Sequence, residues 1–180
     1  MKAEVIVTKK NNRKVKEDEL IEIADKITFE DLFKYEEIHI AGGEPMLISE
    51  RVVEMIHRLR LQGYQGKIYL HTAMSHRLNT YWACKMLFEE VDGVIYTINW
   101  GKLEVVRREL ADLRRLDQFF KDSGREGKTD ILYLNDRVYD EGYAKTLGYK
   151  WAAVRCFKDL FKESPFPEGD IVFYDLEAEG

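Results

Sequence analysis

Strand-like apolar runs and helix-like amphipathic runs take turns along nearly the whole chain. Short segments rich in β-branched and aromatic residues fall at 3–8, 37–41, 67–71, 94–98, 131–134, 151–156 and 171–174. A helix is predicted at 18–27, with Leu20, Ile23, Ala24 and Ile27 on one face. A short helical connector follows at 28–35. The next helix, 49–62, turns Val52, Ile56 and Leu59 inward, opens at Ser49 and stops at Gly63. Ser75 opens a third helix striped by Leu78, Trp82 and Met86. The longest helix, 103–121, carries Val106, Leu110, Leu113 and Phe120, and a short one at 141–147 stops at Gly148. Alternation of this kind predicts βαβ units and a parallel sheet. The 180 residues are few for a closed eight-fold barrel, which takes about 250. The expected architecture is therefore an α/β fold, a partial (β/α) barrel of five or six units, as one domain over 1–180. The stretch 157–169, with Pro165 and Pro167, reads as irregular. The run 171–174 reads as a last strand, at an edge.

Bulk properties narrow the function classes. A formal net charge of −5 argues against a general nucleic-acid binder. The two cysteines, Cys84 and Cys156, are far apart and suggest no disulfide framework, which points to a reducing, cytoplasmic setting. No apolar run reaches the roughly 18 residues needed to span a membrane, and the N-terminus lacks a signal-peptide pattern.

The most specific stretch is 36–49. A strand, Ile38-His39-Ile40-Ala41, runs into Gly42-Gly43-Glu44-Pro45, then an apolar pair, Ser49 and an amphipathic helix. Paired glycines let the backbone turn sharply and approach a ligand. Pro45 fixes φ after the carboxylate. Glu44 thus stands at the C-terminal end of a strand, where α/β folds place ligands. The same order also fits a tight strand-to-helix turn in which Glu44 only satisfies backbone donors at a helix start.

This stretch resembles the Gly-Gly-Glu-Pro motif of the radical S-adenosylmethionine (radical SAM) enzymes. The resemblance covers roughly residues 3–135 and is most specific at 36–60. It implies a full or partial β/α barrel. It implies that Gly42, Gly43, Glu44 and Pro45 hold the amino group of the cofactor's methionine. It also implies that a loop after the first strand should carry Cys-x3-Cys-x2-Cys, the thiolates for a 4Fe-4S iron–sulfur cluster. Aligned on Thr8 and Asn12, the cysteine positions fall on Asn11, Val15 and Asp18, and no cysteine precedes Cys84. The resemblance therefore implies a degenerate member with no 4Fe-4S cluster and no radical chemistry. Thr72, after His71, matches the family's third strand end, although Asn and Gly do not follow. Thr97 and Asn99 stand where the family places groups facing the cofactor ribose; they suit a turn cap equally.

Other constellations are weaker. His39, His57, His71 and His76 form no zinc spacing, and His71 is the most interesting because it ends a strand. No nucleophile elbow or phosphate-binding loop occurs. Arg107, Arg108, Arg114 and Arg115 interleave with Glu104, Glu109, Asp112 and Asp117, as on a solvated, ion-paired face. The stretch 123–128 reads as a polar loop, and Asn135-Asp136-Arg137 as a turn. The basic loop 9–16 would lie beside the motif. Tyr133, Tyr139, Tyr143, Tyr149 and Trp151 read as core and rim, or as an interaction surface.

Three functions remain. The first is a catalytically degenerate protein that binds S-adenosylmethionine or a related nucleoside, or a partner protein. The second is a scaffold with no small ligand. The third is an enzyme of unrelated chemistry at the same mouth, using Glu44, His71 and Asn99. Metal ligands are not expected.

Overall fold

The structure is a computed structural model, which describes residues 1–9, 24–73, 81–98, 106–125 and 127–178. Its centre is an eight-stranded sheet in the order β2-β8-β1-β3-β4-β5-β6-β7. The strands are β1 (Lys2–Ile6), β2 (Asp25–Lys26), β3 (Glu37–Ala41), β4 (Lys67–Thr72), β5 (Gly93–Ile98), β6 (Ile131–Leu134), β7 (Ala153–Cys156) and β8 (Asp170–Phe173). Every pairing among the described residues is parallel. The α/β expectation therefore holds. The order has two ends, β2 and β7, and barrel closure is not part of the described structure.

From β1 through β7, leaving β2 aside, each strand pairs with the next in the same direction. Right-handed crossovers in one direction bring the connecting helices to one face. The helices are α1 (Ser49–Leu61), α2 (Tyr81–Glu90), α3 (Val106–Asp122) and the short α4 (Asp136–Asp140). Val52, Ile56 and Leu59 of α1, Leu87 and Phe88 of α2, and Leu113, Leu116 and Phe120 of α3 are buried. They pack in one core with Val5, Ile38, Ile40, Ile68, Leu70, Val94, Tyr96, Leu132 and Leu134. Each fully buried aliphatic side chain contributes about 1.5–3 kcal/mol. Side chains alternate along a strand, so the opposite face carries Glu4, Ile6, His39, Ala41, Tyr69, His71 and Thr97. That face is covered in part by the chain after β7, where the Phe166 ring stacks on His71 at 4.2 Å.

Several local expectations are corrected. The described part of 18–27 is not helical: Asp25–Lys26 forms β2 against Val172 and Phe173 of β8. The Ile27 amide continues that pairing by donating to the Phe173 carbonyl at 2.9 Å. Strand pairing has outcompeted the helical period there. With β2 outside it, β8 is not the edge strand. Met86 is 43% exposed, and the buried stripe of α2 runs through Leu87, Phe88 and on to Val91. The helix predicted at 141–147 begins earlier. Asn135 caps α4 by accepting from the Arg137 amide at 3.0 Å, and a 3-10 turn follows at Tyr143–Thr146. Asn11, Val15, Asp18, Ser75 and Asn99, singled out from the sequence, lie outside the described residues.

The N-terminal end of the sheet is closed by a device used twice. Asp92, just before β5, accepts from the Ile68 amide of β4 at 2.8 Å and from Arg60 at 3.1 Å. Asp130, just before β6, accepts from the Val94 amide of β5 at 2.8 Å and from Arg125. Asp117, read from the sequence as a solvated ion partner, instead faces inward. It accepts from the amides of Gly148 and Tyr149 and from the Trp151 indole. These networks fix one end of the sheet and leave the C-terminal end free for a site.

Candidate functional site

At the end of β3 the chain turns through Gly42, φ 75°, and Gly43, φ 55°. Both are in the left-handed region that favours glycine. Glu44 then returns to extended backbone, and Pro45–Ile48 forms a 3-10 turn that leads straight into α1. The composite helix thus starts at Pro45, not Ser49. Glu44 is its cap, accepting from the Met46 amide at 3.1 Å. The same carboxylate accepts from the Thr72 hydroxyl at 2.6 Å and from the Ala73 amide at 3.0 Å. It therefore clasps the ends of β3 and β4 together. Burial raises the Glu44 carboxyl above its ordinary value, and the three hydrogen bonds oppose that shift. Glu44 is a structural clasp whose acceptors are largely spoken for.

A cavity of about 330 Å³ opens at this end of the sheet. That is within the range of small-molecule sites. Gly42, Gly43, Glu44, His71, Thr72 and Thr97 all line it, together with Glu4, Ile6, Ala41, Ala73, Leu160, Pro165 and Phe166. The structure thus brings six of the eight sequence candidates to one space. Pro45 is buried in the 3-10 turn and is not among the lining residues.

Two features of the cavity escaped the sequence reading. The first is Glu4, on β1 opposite His39 in register. Burial alone raises its carboxyl, and no hydrogen bond or ion pair joins it to another described residue. Among the described lining residues the charged groups are Glu4 and Glu44, with no Lys or Arg. The second is a hydrogen-bonded row. Glu37 Oε1 lies 2.8 Å from His39 Nε2, and His39 Nδ1 lies 2.7 Å from His71 Nε2. Lys2 Nζ lies 3.2 Å from the other Glu37 oxygen. The available signal was a histidine inside each of two neighbouring apolar strands at positions that alternation puts on one face.

Burial lowers the pKa of His39, against the pull of Glu37. Burial and the neighbouring His39 hold His71 well below its ordinary value. Burial would raise Glu37, but hydrogen bonds from His39 and Lys2 outweigh it and leave the carboxyl low. Both imidazoles are thus neutral at neutral pH. Below the ordinary value of 6.5 the unfolded chain binds protons that the folded chain does not, so this part of the stability is lost as pH falls through 6.5. The raised carboxyls of Glu4 and Glu44 act in the opposite sense. Comparison with His71→Asn isolates the histidine: the wild type's advantage in melting temperature should shrink between about pH 7.5 and pH 5.5. An advantage that grows toward acid would mean that His71 is stabilised as the cation.

The chain matches no protein-family model, no curated protein and no solved structure. No described helix is long and apolar enough to cross a membrane. Among the described residues no group of three or more His, Cys, Asp or Glu could hold a metal ion. The Cys156 thiol, at the end of β7, lies 2.9 Å from Asp136 Oδ1 of α4.

Proposed function

We propose that this chain is a cluster-free, radical SAM-like protein that binds adenosylmethionine or a related nucleoside at the mouth of a partial (β/α) barrel, without radical chemistry. The observation that carries this reading is the convergence of Gly42, Gly43, Glu44, His71, Thr72 and Thr97 on one cavity at the strand ends. The electrostatics of the lining support it. Two carboxylates, with no Lys or Arg among the described lining residues, favour a cation over an anion. Glu44 is already bonded, so Glu4 is the group that takes the ligand's ammonium. Ile6, Ala41 and Leu160 offer apolar walls, Phe166 an aromatic face, and Thr97 a hydroxyl for a ribose.

The test is calorimetric titration of the full chain with adenosylmethionine and its uncharged-sulfur relatives. Glu4→Gln should weaken adenosylmethionine binding about 10- to 100-fold, the loss of one charge-assisted hydrogen bond. Absence of binding across the series would overturn the ligand reading. A protein partner co-purifying with such a ligand-free chain would favour the scaffold. In the same preparation, anaerobic reconstitution with iron and sulfide should leave the protein colourless. A brown product with stoichiometric iron would refute the cluster-free assignment.

A further inference from the structure

We propose that Glu37, His39 and His71 act as one unit that makes His71 Nδ1 the cavity's proton acceptor, serving an uncharged or cationic small molecule with a hydroxyl or amino group. This deepens the ligand reading above and rests on it for the identity of the cavity. The argument starts from hydrogen-bond polarity. An ionised Glu37 can only accept, so His39 donates from Nε2. A neutral His39 then has a bare Nδ1, which must accept from His71 Nε2. A neutral His71 therefore carries its proton on Nε2 and a lone pair on Nδ1. No described residue bonds Nδ1, and His71 lines the cavity. Phe166, stacked at 4.2 Å, fixes the plane of the ring.

The step is a single proton transfer. The O–H or N–H bond of the ligand breaks, its electron pair stays on oxygen or nitrogen, and the proton bonds to Nδ1. The resulting imidazolium donates through Nε2 toward His39, whose own N–H faces the Glu37 carboxylate. The positive charge is thus stabilised along the row, as in other oriented imidazoles. His39 and Glu37 are positioning residues. The charged and titratable groups facing the row are Glu4 of β1 beside His39, Lys2 of β1 on Glu37, Glu44 across the cavity, and Tyr69 of β4, whose ring lies 4.8 Å from His39. The lining carries no Lys or Arg among the described residues, so an anionic ligand is disfavoured.

The test is acylation of the full folded chain by diethyl pyrocarbonate, mapped by mass spectrometry from about pH 6 to about pH 8. A histidine in an unstructured peptide, added as an internal standard, should react about fourfold faster over that range as it loses its proton. His71 should react at all pH values with less than about a twofold change, because it is already neutral. Glu37→Gln should slow His71 by about threefold or more, by removing the carboxylate that orients the row, with the peptide standard unchanged. A merely structural row would leave the His71 rate indifferent to Glu37. An unlabelled His71, a rate that tracks the peptide standard with pH, or a rate untouched by Glu37→Gln would overturn the proposal. Adenosylmethionine should protect His71. Labelling without protection would remove that ligand and leave the relay standing, whereas binding with an unreactive His71 would do the reverse.

Discussion

Asp130→Asn is expected to destabilise the chain by about 3–5 kcal/mol, the range for breaking a buried ion pair from one side. Asp130 is 0% exposed and its two oxygens meet four donors. Oδ1 takes the Val94 amide at 2.8 Å and Arg125 Nη2 at 2.7 Å, and Oδ2 takes Arg125 Nε at 2.7 Å and the Tyr149 hydroxyl at 2.6 Å. Arg125 also donates to the Phe88 carbonyl and lies 4.9 Å from the centre of the Phe120 ring. An amide keeps the shape and loses the charge. It also turns one acceptor into a donor that must face an N–H. For a chain of this size the cost corresponds to a fall in melting temperature of about 6–20 °C. Denaturant titration measures it directly. The partner substitution Arg125→Met should cost a similar amount, and the two together should cost much less than the sum, because the second change removes a charge already stranded. A loss under about 1 kcal/mol for Asp130→Asn would mean that the pair is not desolvated.

The same two residues show where the sequence stops being legible. Arg125 lies in a run, 123–128, that reads as a polar loop, and nothing local marks its side chain for burial. Its partner is close in sequence, but the reason for burial is the start of β5, 36 residues from Asp130 along the chain. Asp117 is similar: its helix looks solvated by charge pattern, yet its acceptors serve the 148–151 segment. The strands other than β2 were legible because parallel strands buried on both faces read as continuous apolar runs. The mouth was legible because two glycines and a proline bracket one carboxylate. The capping of a helix start by that carboxylate was legible too; its clasp on β4 was not, since the Thr72 hydroxyl lies 28 residues on. Glu4 stayed hidden because its strand alternates as an ordinary half-exposed strand would, and only the pairing with β3 turns it toward His39.

The largest effect expected at the site comes from Gly42→Ala, which should cost about 2–5 kcal/mol. Two separate penalties combine. At φ 75° any side chain is strained, by roughly 1–2 kcal/mol. A methyl group there would also sit 2.3 Å from Ile6 Cγ2 and 2.8 Å from Ile6 Cβ. Ile6 is 2% exposed at the end of β1, in register with Ala41, so it cannot swing into open space. Gly63 separates the two penalties. Its φ is 90° and nothing lies within 4 Å of an added Cβ, so Gly63→Ala should cost the backbone strain alone. On an Ile6→Ala background the contact with Cγ2 disappears while Cβ stays at 2.8 Å, so Gly42→Ala should lose only part of its excess over Gly63→Ala. Equal costs for Gly42→Ala and Gly63→Ala in the wild-type background would show that β1 does not press on the turn. If the costs differ as expected, the first glycine of the motif is required by the close approach of β1 as much as by any ligand. Ile6 and Gly42 are then one wall of the cavity, and Ile6→Ala, which leaves Glu4 and the histidine row in place, should enlarge that cavity without removing its charge.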